Sequence, residues 1–550
     1  MNHDLAARVA AWITADPDAA DRATLTELLD TGDEGELSRR FAAPLTFGTA
    51  GLRGPVMAGP AGMNRLTVRR ATQGVVGWLQ EIGSDAARGV VIGRDARHGS
   101  EAFNDEAVSV LVGAGVRVHE MPRPLPTPLV AFAVKDLGAA AGIMITASHN
   151  PPNDNGYKLY AADGAQIIPP NDEIVERRAS HALPPALGDR SSPLHHVIPE
   201  GLLSRYRDHL AQRFGVAGGS DLAVTYTPLF GVGGEIMTEL FAQAGYRNVS
   251  VVASQFQPDP TFPGLAFPNP EEPGVLDEAL AHAASVSSSL VIANDPDADR
   301  LAVAVPGPHG WRALRGDEVG WLLGSTLLQG EGGDTVATTI VSSTMLEAMA
   351  TEASVRYVTT LTGFKWIARA AGDGVLRFGY EEALGYAVDP FVADKDGMSA
   401  ALCVCRLAHE LAERGQSLVD RLDELERRFG VHGGGQLAIR AEGPAALTRI
   451  TEAVARLRSS PPVALAGLAV TGVVDLAEGW NGLAPTDGVI LFLGGDGRVV
   501  VRPSGTEPKL KCYIEVTPRG GSALDDGRRE ASARVGAIRE ELSELLRLEP

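Results

Sequence analysis

Between residues 90 and 119, short apolar runs alternate with amphipathic stretches. Val90–Gly93 has the texture of a buried strand, Ser100–Leu111 that of a helix, and Val116–His119 that of a strand again. A parallel return needs a crossover long enough to hold a helix, so this rhythm commits the chain to an α/β fold with a mainly parallel sheet. Ala141–Ile145 is another buried-strand candidate. A second α/β stretch starts near Leu222 and includes Leu290–Ala293. A third runs from about 315 to 425, with strands near Thr335–Ser342, Val355–Tyr357 and Leu376–Tyr380, then a helix over Asp396–Arg414. From about 432 the texture changes. Strands are expected at Gln436–Ile439, Leu468–Val474, Val489–Leu493 and Arg498–Val501, with helices at Ala445–Leu457 and Ala523–Leu548, which makes an α+β module. The first 45 residues are helix-like, and residues 181–199, rich in Pro, Ser and His, read as a linker or a surface crossing. A single core rarely outgrows about 250–300 residues. We therefore expect three related α/β domains over 1–195, 196–312 and 313–428, and a C-terminal α+β domain over 429–550.

The net charge of −20 and the lack of a Lys/Arg run argue against a nucleic-acid partner and against anionic membranes. Apolar stretches such as Val463–Val474 fall far short of the ~20 residues a spanning helix needs. The N-terminus carries acids early and no apolar core, unlike a signal peptide. Three cysteines, Cys403, Cys405 and Cys512, make no disulfide framework and read as small buried hydrophobes. A cytoplasmic location is expected. If such an acidic chain binds an anion, it must concentrate cations locally.

Four polar loops carry the chemistry. In Thr146–Lys158, Ser148 follows a buried strand and is flanked by His149, Asn150, Pro151 and Pro152. That places a hydroxyl at the carboxyl end of a strand, where α/β sheets bind ligands. A serine is a weak nucleophile unless a base, a metal or prior phosphorylation activates it. In Asp295-Pro-Asp-Ala-Asp-Arg300 an extended chain would project Asp295, Asp297 and Asp299 from one face. Three clustered carboxylates ask for a cation, and oxygen ligands select Mg²⁺, Mn²⁺ or Ca²⁺. A calcium EF-hand is excluded, because Arg300 stands where its loop needs Gly and Pro306 where it needs Glu. In Arg502-Pro-Ser-Gly-Thr-Glu-Pro508, a guanidinium, two hydroxyls and a glycine suit a phosphate cradle, and Lys509 and Lys511 add positive charge. Gly379–Tyr386 offers adjacent carboxylates, Glu381 and Glu382, suited to the hydroxyl groups of a sugar, and Thr362-Gly363-Phe364-Lys365 is a further candidate.

These loops, TASHNPPNDNGYK, NDPDADR, YEEALG and RPSGTEPK in that order, resemble the α-D-phosphohexomutase superfamily over nearly the whole chain. FGTAGLRG (47–54) and DKDG (394–397) are similar to the branch holding bacterial phosphoglucomutases and the phosphoglucomutase/phosphopentomutase enzymes. The resemblance implies a heart-shaped molecule of four domains whose last domain swings over the substrate. It implies that Ser148 carries phosphate, and that Asp295, Asp297 and Asp299 hold Mg²⁺ together with an oxygen of that group. Lys158 matches the candidate general acid/base, Arg53 an active-site arginine, and His149 and Arg300 lie beside the reacting group. Glu381, with Glu382, Thr362, Gly363, Lys365 and Lys395, would meet the substrate. Arg502, Ser504, Gly505 and Thr506 would grip the phosphate that is not reacting. The implied reaction interconverts a sugar 1-phosphate and 6-phosphate, glucose first among the sugars, through a bisphosphate that also serves as activator. Mannose and pentose phosphates are the alternatives, and a phosphosugar-binding protein without catalysis is the reading from a different class. The glucose and mannose enzymes usually carry Ser where this chain has Ala383, and members of the pentomutase-related branch resemble it in having Ala there.

Overall fold

The structure is a computed structural model and describes residues 3–48, 51–180, 185–308, 310–330, 332–441, 446–495, 497–504, 509–518 and 523–548. The chain divides into two compact units, Met1–Leu314 with Ala383–His409, and Arg315–Glu382 with Glu410–Pro550.

The first unit opens with three helices, His3–Ala15, Ala19–Thr31 and Glu34–Arg40. Its six-stranded sheet runs Leu52–Pro55, Asp154–Ala161, Ala141–Ile145, Val90–Arg94, Val118–Glu120, His195–Val197. The last four strands are parallel neighbours, and Asp154–Ala161 is antiparallel to both of its partners. Ala141–Ile145 is buried at every position, as a strand with helices on both faces must be. Two departures from the sequence reading appear here. The stretch 181–199 is not only a linker, because His195–Val197 adds an edge strand beside Val118–Glu120; residues 181–184 lie outside the described residues. An edge strand with one wet face needs no apolar run to mark it. The stretch 146–158 is not loop throughout, since Asp154–Ala161 is a strand. Its Asn155 and Lys158 are buried but hydrogen-bonded, so the strand lacks an apolar signature. A second, five-stranded sheet runs Gly310–Ala313, Ala302–Gly307, Leu290–Ala293, Val224–Thr227, Val249–Val251, and Val224–Thr227 is parallel to both of its neighbours.

The second unit contains the parallel strands Arg356–Thr360, Thr335–Thr339 and Leu376–Glu381. It also contains an antiparallel sheet, Gly433–Arg440, Lys509–Val516, Gly497–Pro503, Val489–Leu493, Leu468–Asp475, Ala464–Leu465. The helices Ala446–Ser459 and Leu524–Leu545 close a core over that sheet through Ile450, Val454, Ile538 and Leu542. All three cysteines are free and buried. Among the described residues, no helix is long and apolar enough to cross a membrane.

Candidate active site

In the first unit, the strand Ala141–Ile145 delivers Ser148 and the strand Leu290–Ala293 delivers the aspartates, each from the carboxyl end of a strand with one parallel and one antiparallel neighbour. Ser148 is buried with its backbone left-handed, φ 54°. A non-glycine residue held there stores about 1–3 kcal/mol of strain, which persists only where the surroundings fix it. The Ser148 N–H donates to Thr146 Oγ1 at 2.9 Å. Its Oγ donates to Asp295 Oδ2 at 2.8 Å and lies 3.1 Å from His149 Nδ1.

The aspartates converge, but not in the way an extended chain would bring them together. Residues 294–299 form a turn with Ala298 left-handed at φ 54°, and the turn, rather than strand alternation, aims the carboxylates at one point. One ligand atom from each of Asp295, Asp297 and Asp299 lies within 4.8 Å of the others, and all three residues are buried. Two glycines make room for the turn. A Cβ on Gly231 would sit 2.3 Å from Pro296 Cα, and one on Gly397 would sit 2.1 Å from the carbonyl oxygen of Arg300. No ordinary side chain tolerates such distances.

Lysines answer part of this negative charge. Lys158 Nζ donates to Asp297 Oδ2 at 2.6 Å and Asp299 Oδ2 at 2.7 Å, and Lys395 Nζ lies 3.1 Å from Asp299 Oδ2. Burial and the Asp297 charge push the Asp299 carboxyl up, yet Lys158, Lys395 and Arg300 outweigh them and hold it below the usual carboxylate range. Asp297 Oδ1 and Asp299 Oδ1 are still buried without a hydrogen-bond partner. Acceptors with no donor, converging from three hard oxygen ligands, are what a divalent cation such as Mg²⁺ satisfies, so this donor set fits a metal. Burial, with the charges of Arg300 and Arg53, holds His149 well below its ordinary pKa, so its ring is neutral at pH 7.

The other expected residues of this unit join the cluster. Arg53 Nη1 donates to Asn150 Oδ1 at 3.2 Å. The Arg300 N–H donates to Asp295 Oδ1 at 3.0 Å, and its Nη1 donates to the carbonyl of Ala383 at 2.8 Å. The structure thus brings together Ser148, His149, Lys158, Arg53, Arg300, Lys395 and the three aspartates. It also shows residues the sequence reading missed. Thr127 Oγ1 donates to Asp297 Oδ2 at 2.5 Å, and the buried Arg97 grips the Ser148 loop. Arg97 stands in Gly93-Arg-Asp-Ala-Arg97, a charged run directly after a buried strand, and that signal was available. Nothing in the sequence around Thr127 marks it.

In the second unit, Glu381 ends the strand Leu376–Glu381. Glu382 Oε2 accepts from Thr339 Oγ1 at 3.2 Å and Ser342 Oγ at 3.1 Å. Burial, Glu381 and Asp317 raise the Glu382 carboxyl to about 7, against an opposing pull from Lys511. Arg502 stands opposite Lys511 in the antiparallel sheet, so two cations and Glu382 share this neighbourhood. The Ser504 N–H donates to the carbonyl of Lys509 at 2.8 Å. Gly363, at φ 110°, precedes the short helix Phe364–Ile367, which bears the buried Lys365, and Thr362 leads into it. Gly505 and Thr506 lie outside the described residues.

Comparison with known proteins places the chain in a family. Residues 44–183, 204–308 and 315–429 match the families described as phosphoglucomutase/phosphomannomutase, alpha/beta/alpha domains I, II and III. Residues 441–523 match the phosphoglucomutase/phosphomannomutase C-terminal domain. A probable phosphomannomutase of Haemophilus influenzae is 40% identical over 476 residues, covering 85% of this chain and 95% of its own. A mouse phosphopentomutase is 36% identical over 595 residues, covering 98% and 95%. The crystal structure of a putative phosphomannomutase from Thermus thermophilus superposes with a TM-score of 0.71 at 25% identity, covering 92% of this chain and 99% of that one. Fold and likeness together define an enzyme, a phosphosugar mutase of the isomerase class, acting on a small phosphorylated sugar. The chain belongs to the phosphoglucomutase/phosphomannomutase family, within the α-D-phosphohexomutase superfamily.

Proposed function

We propose that the chain interconverts an aldohexose 1-phosphate and 6-phosphate, glucose first, by passing phosphate through Ser148. The observation that carries this reading is the Ser148 hydroxyl, buried, left-handed and 2.8 Å from Asp295 Oδ2 at the mouth of the three-aspartate turn. The loaded serine carries roughly −1.5 to −2 charge at neutral pH. Asp295, Asp297 and Asp299, with an oxygen of that phosphate, would hold Mg²⁺. When bound, the ion supplies Lewis-acid stabilisation of charge on the transferring phosphoryl group.

The residues of the chain do the rest. Arg502 and Ser504, with Gly505 and Thr506, hold the phosphate that is not reacting, and Glu381 accepts hydrogen bonds from sugar hydroxyls. Thr362, Gly363 and Lys365 belong to the same substrate contact. A free sugar hydroxyl attacks phosphorus; the P–Oγ bond of Ser148 breaks as the P–O bond to the sugar forms. Lys158 Nζ, held by the hydrogen bonds it donates to Asp297 and Asp299, would take the hydroxyl proton in its neutral form, and Ser148 Oγ regains that proton. The resulting bisphosphate turns over and returns its other phosphate to Ser148. Glucose 1,6-bisphosphate would load an enzyme whose serine is empty.

A pentose phosphate is the second reading. Ala383 offers no hydroxyl in the sugar loop, and the mouse phosphopentomutase matches 98% of the chain. A panel of glucose 1-phosphate, mannose 1-phosphate and ribose 1-phosphate, each with a trace of bisphosphate, separates these readings. The highest kcat/KM is expected with glucose 1-phosphate; a preference for ribose 1-phosphate would replace that choice. Ser148→Ala is expected to lose at least about 1,000-fold in turnover. Near-normal activity in that variant would remove the serine from the mechanism.

A further inference from the structure

We propose that Arg97 is a positioning residue for phosphoryl transfer: its guanidinium holds the Ser148 loop so that Oγ stays aimed at Asp295. The proposal rests on the reading of Ser148 as the phosphate carrier. Arg97 is 4% exposed. Its Nη2 donates to the carbonyls of Ser148 and Asn150, both at 2.7 Å. Its Nη1 donates to the carbonyls of Pro151 at 2.8 Å and Asp154 at 3.1 Å. Asp95 Oδ2 lies 3.5 Å from Nε, and the Phe262 ring covers the guanidinium 4.8 Å from its centroid. Asp95 is itself fixed, since its Oδ1 accepts from the Arg97 N–H at 2.9 Å and from Ser100 Oγ at 2.6 Å.

The donor count separates Arg97 from an anion-binding arginine. A guanidinium has five N–H groups. Four go to loop carbonyls, and the fifth, on the buried Nε, makes no hydrogen bond and lies 3.5 Å from Asp95 Oδ2, so no solvent-facing N–H is left for a substrate phosphate. The loop needs this service. Residues 146–153 belong to no strand or helix, Pro151 and Pro152 have no N–H to offer, and buried carbonyls without donors are costly. Ser148 is pinned from both sides: its N–H is held by Thr146 and its carbonyl by Arg97, and that double hold keeps a serine at φ 54°. A lysine carries the charge but lacks the planar fork, so it cannot serve four diverging carbonyls.

The test uses Arg97→Lys and Arg97→Ala in the full chain with Mg²⁺, first loaded with glucose 1,6-bisphosphate bearing labelled phosphate. A misplacement of about 1 Å at a reacting group costs on the order of 100-fold in rate, and kcat of Arg97→Lys is expected to fall by about that factor with KM little changed. Its labelled phosphoserine is expected to lose phosphate to water faster than that of the unsubstituted enzyme. Guanidinium ion is expected to restore turnover to Arg97→Ala, and methylammonium is not. Where Arg97→Ala does not fold, Arg97→Lys carries the test alone. A folded Arg97→Lys with unchanged kcat and unchanged phosphate loss would overturn the positioning role. A fall in melting temperature with no change in the kcat-to-KM split, or in phosphate loss, would do the same by leaving Arg97 merely structural. Peptide mapping keeps the two readings apart. Label on Ser148 with an indifferent Arg97 defeats this proposal alone, whereas label on another residue defeats the carrier reading and this proposal with it.

Discussion

Glu382 shows how much one residue's surroundings decide. Burial and the negative charges of Glu381 and Asp317 outweigh the opposing pull of Lys511 and a backbone hydrogen bond, and raise its carboxyl to about 7. A carboxyl whose folded pKa lies above its unfolded value near 4.5 binds more protons in the folded state. Its cost to stability is therefore absent below about pH 4.5, grows as pH rises, and is complete above about pH 7. Glu382→Gln keeps an acceptor for Thr339 and Ser342 and removes the charge. Allowing for solvent screening, that variant should be more stable than the unsubstituted chain by about 1–2 kcal/mol at pH 8. The gain should vanish near pH 5, and thermal melts at the two pH values measure it. An equal effect at both would remove the charge as its cause. Nothing in the order of residues announces this shift, because Asp317 lies 65 positions before Glu382 and Lys511 lies 129 after it. By contrast, Ser148 and the three aspartates were legible, since each sits in a polar loop directly behind a buried apolar run.

The alternation of Asp295, Asp297 and Asp299 named the carboxylates that converge, but through the wrong geometry. A strand would have aimed them together by pleat, whereas the chain turns through a left-handed Ala298 with room left by Gly231 and Gly397. The strand Asp154–Ala161 was hidden because its buried Asn155 and Lys158 are polar, and the partners that satisfy them come from remote segments. The edge strand His195–Val197 was hidden because it is short and wet. Apolar periodicity reports burial in a common core, so it finds Ala141–Ile145 and Val489–Leu493 and passes over elements held by polar contacts. The turn carries its own prediction. Asp297 joins Thr127, Lys158 and the metal-fitting oxygens, and Asp297→Asn takes away one charge while keeping the shape. Outer-sphere or ligand changes of this kind typically cost 10–100-fold in metal affinity, and a loss of at least about that size is expected for Mn²⁺ followed by its paramagnetic resonance. Thorough chelation of the unsubstituted enzyme should abolish turnover, and added Mg²⁺ should restore it. Unaltered Mn²⁺ affinity in Asp297→Asn would remove that carboxylate from the ligand set.

For the molecule as a whole, the question is how a chain of net charge −20 takes up an anion. Two fields compete, and their ranges differ. The overall charge repels a sugar phosphate over long distances, and salt shortens that reach from a Debye length of about 30 Å at 0.01 M to about 8 Å at 0.15 M. The cations assigned to the substrate act over a few ångströms and are screened much less. Arg502 and Lys511 stand opposite one another in the C-terminal sheet, and Arg53, Lys158, Arg300 and Lys395 gather around the aspartate turn. Moderate salt should therefore weaken the repulsion before it weakens the grip. KM for the sugar phosphate is expected to fall as NaCl rises from 0.01 to 0.15 M at fixed Mg²⁺, and to rise again only at higher salt. Arg502→Ala separates the two fields. It removes a close contact worth about 1.5–3 kcal/mol as a charged hydrogen bond, so KM should rise by roughly 10-fold to 100-fold at every salt concentration. The downward slope between 0.01 and 0.15 M should survive, because one charge in a field of −20 changes the long-range repulsion little. Initial rates of both proteins across the salt series decide the matter. A KM that climbs from the lowest salt onward would show that the local cations already command the approach at long range. An Arg502→Ala enzyme with unchanged KM would take that residue out of the phosphate grip.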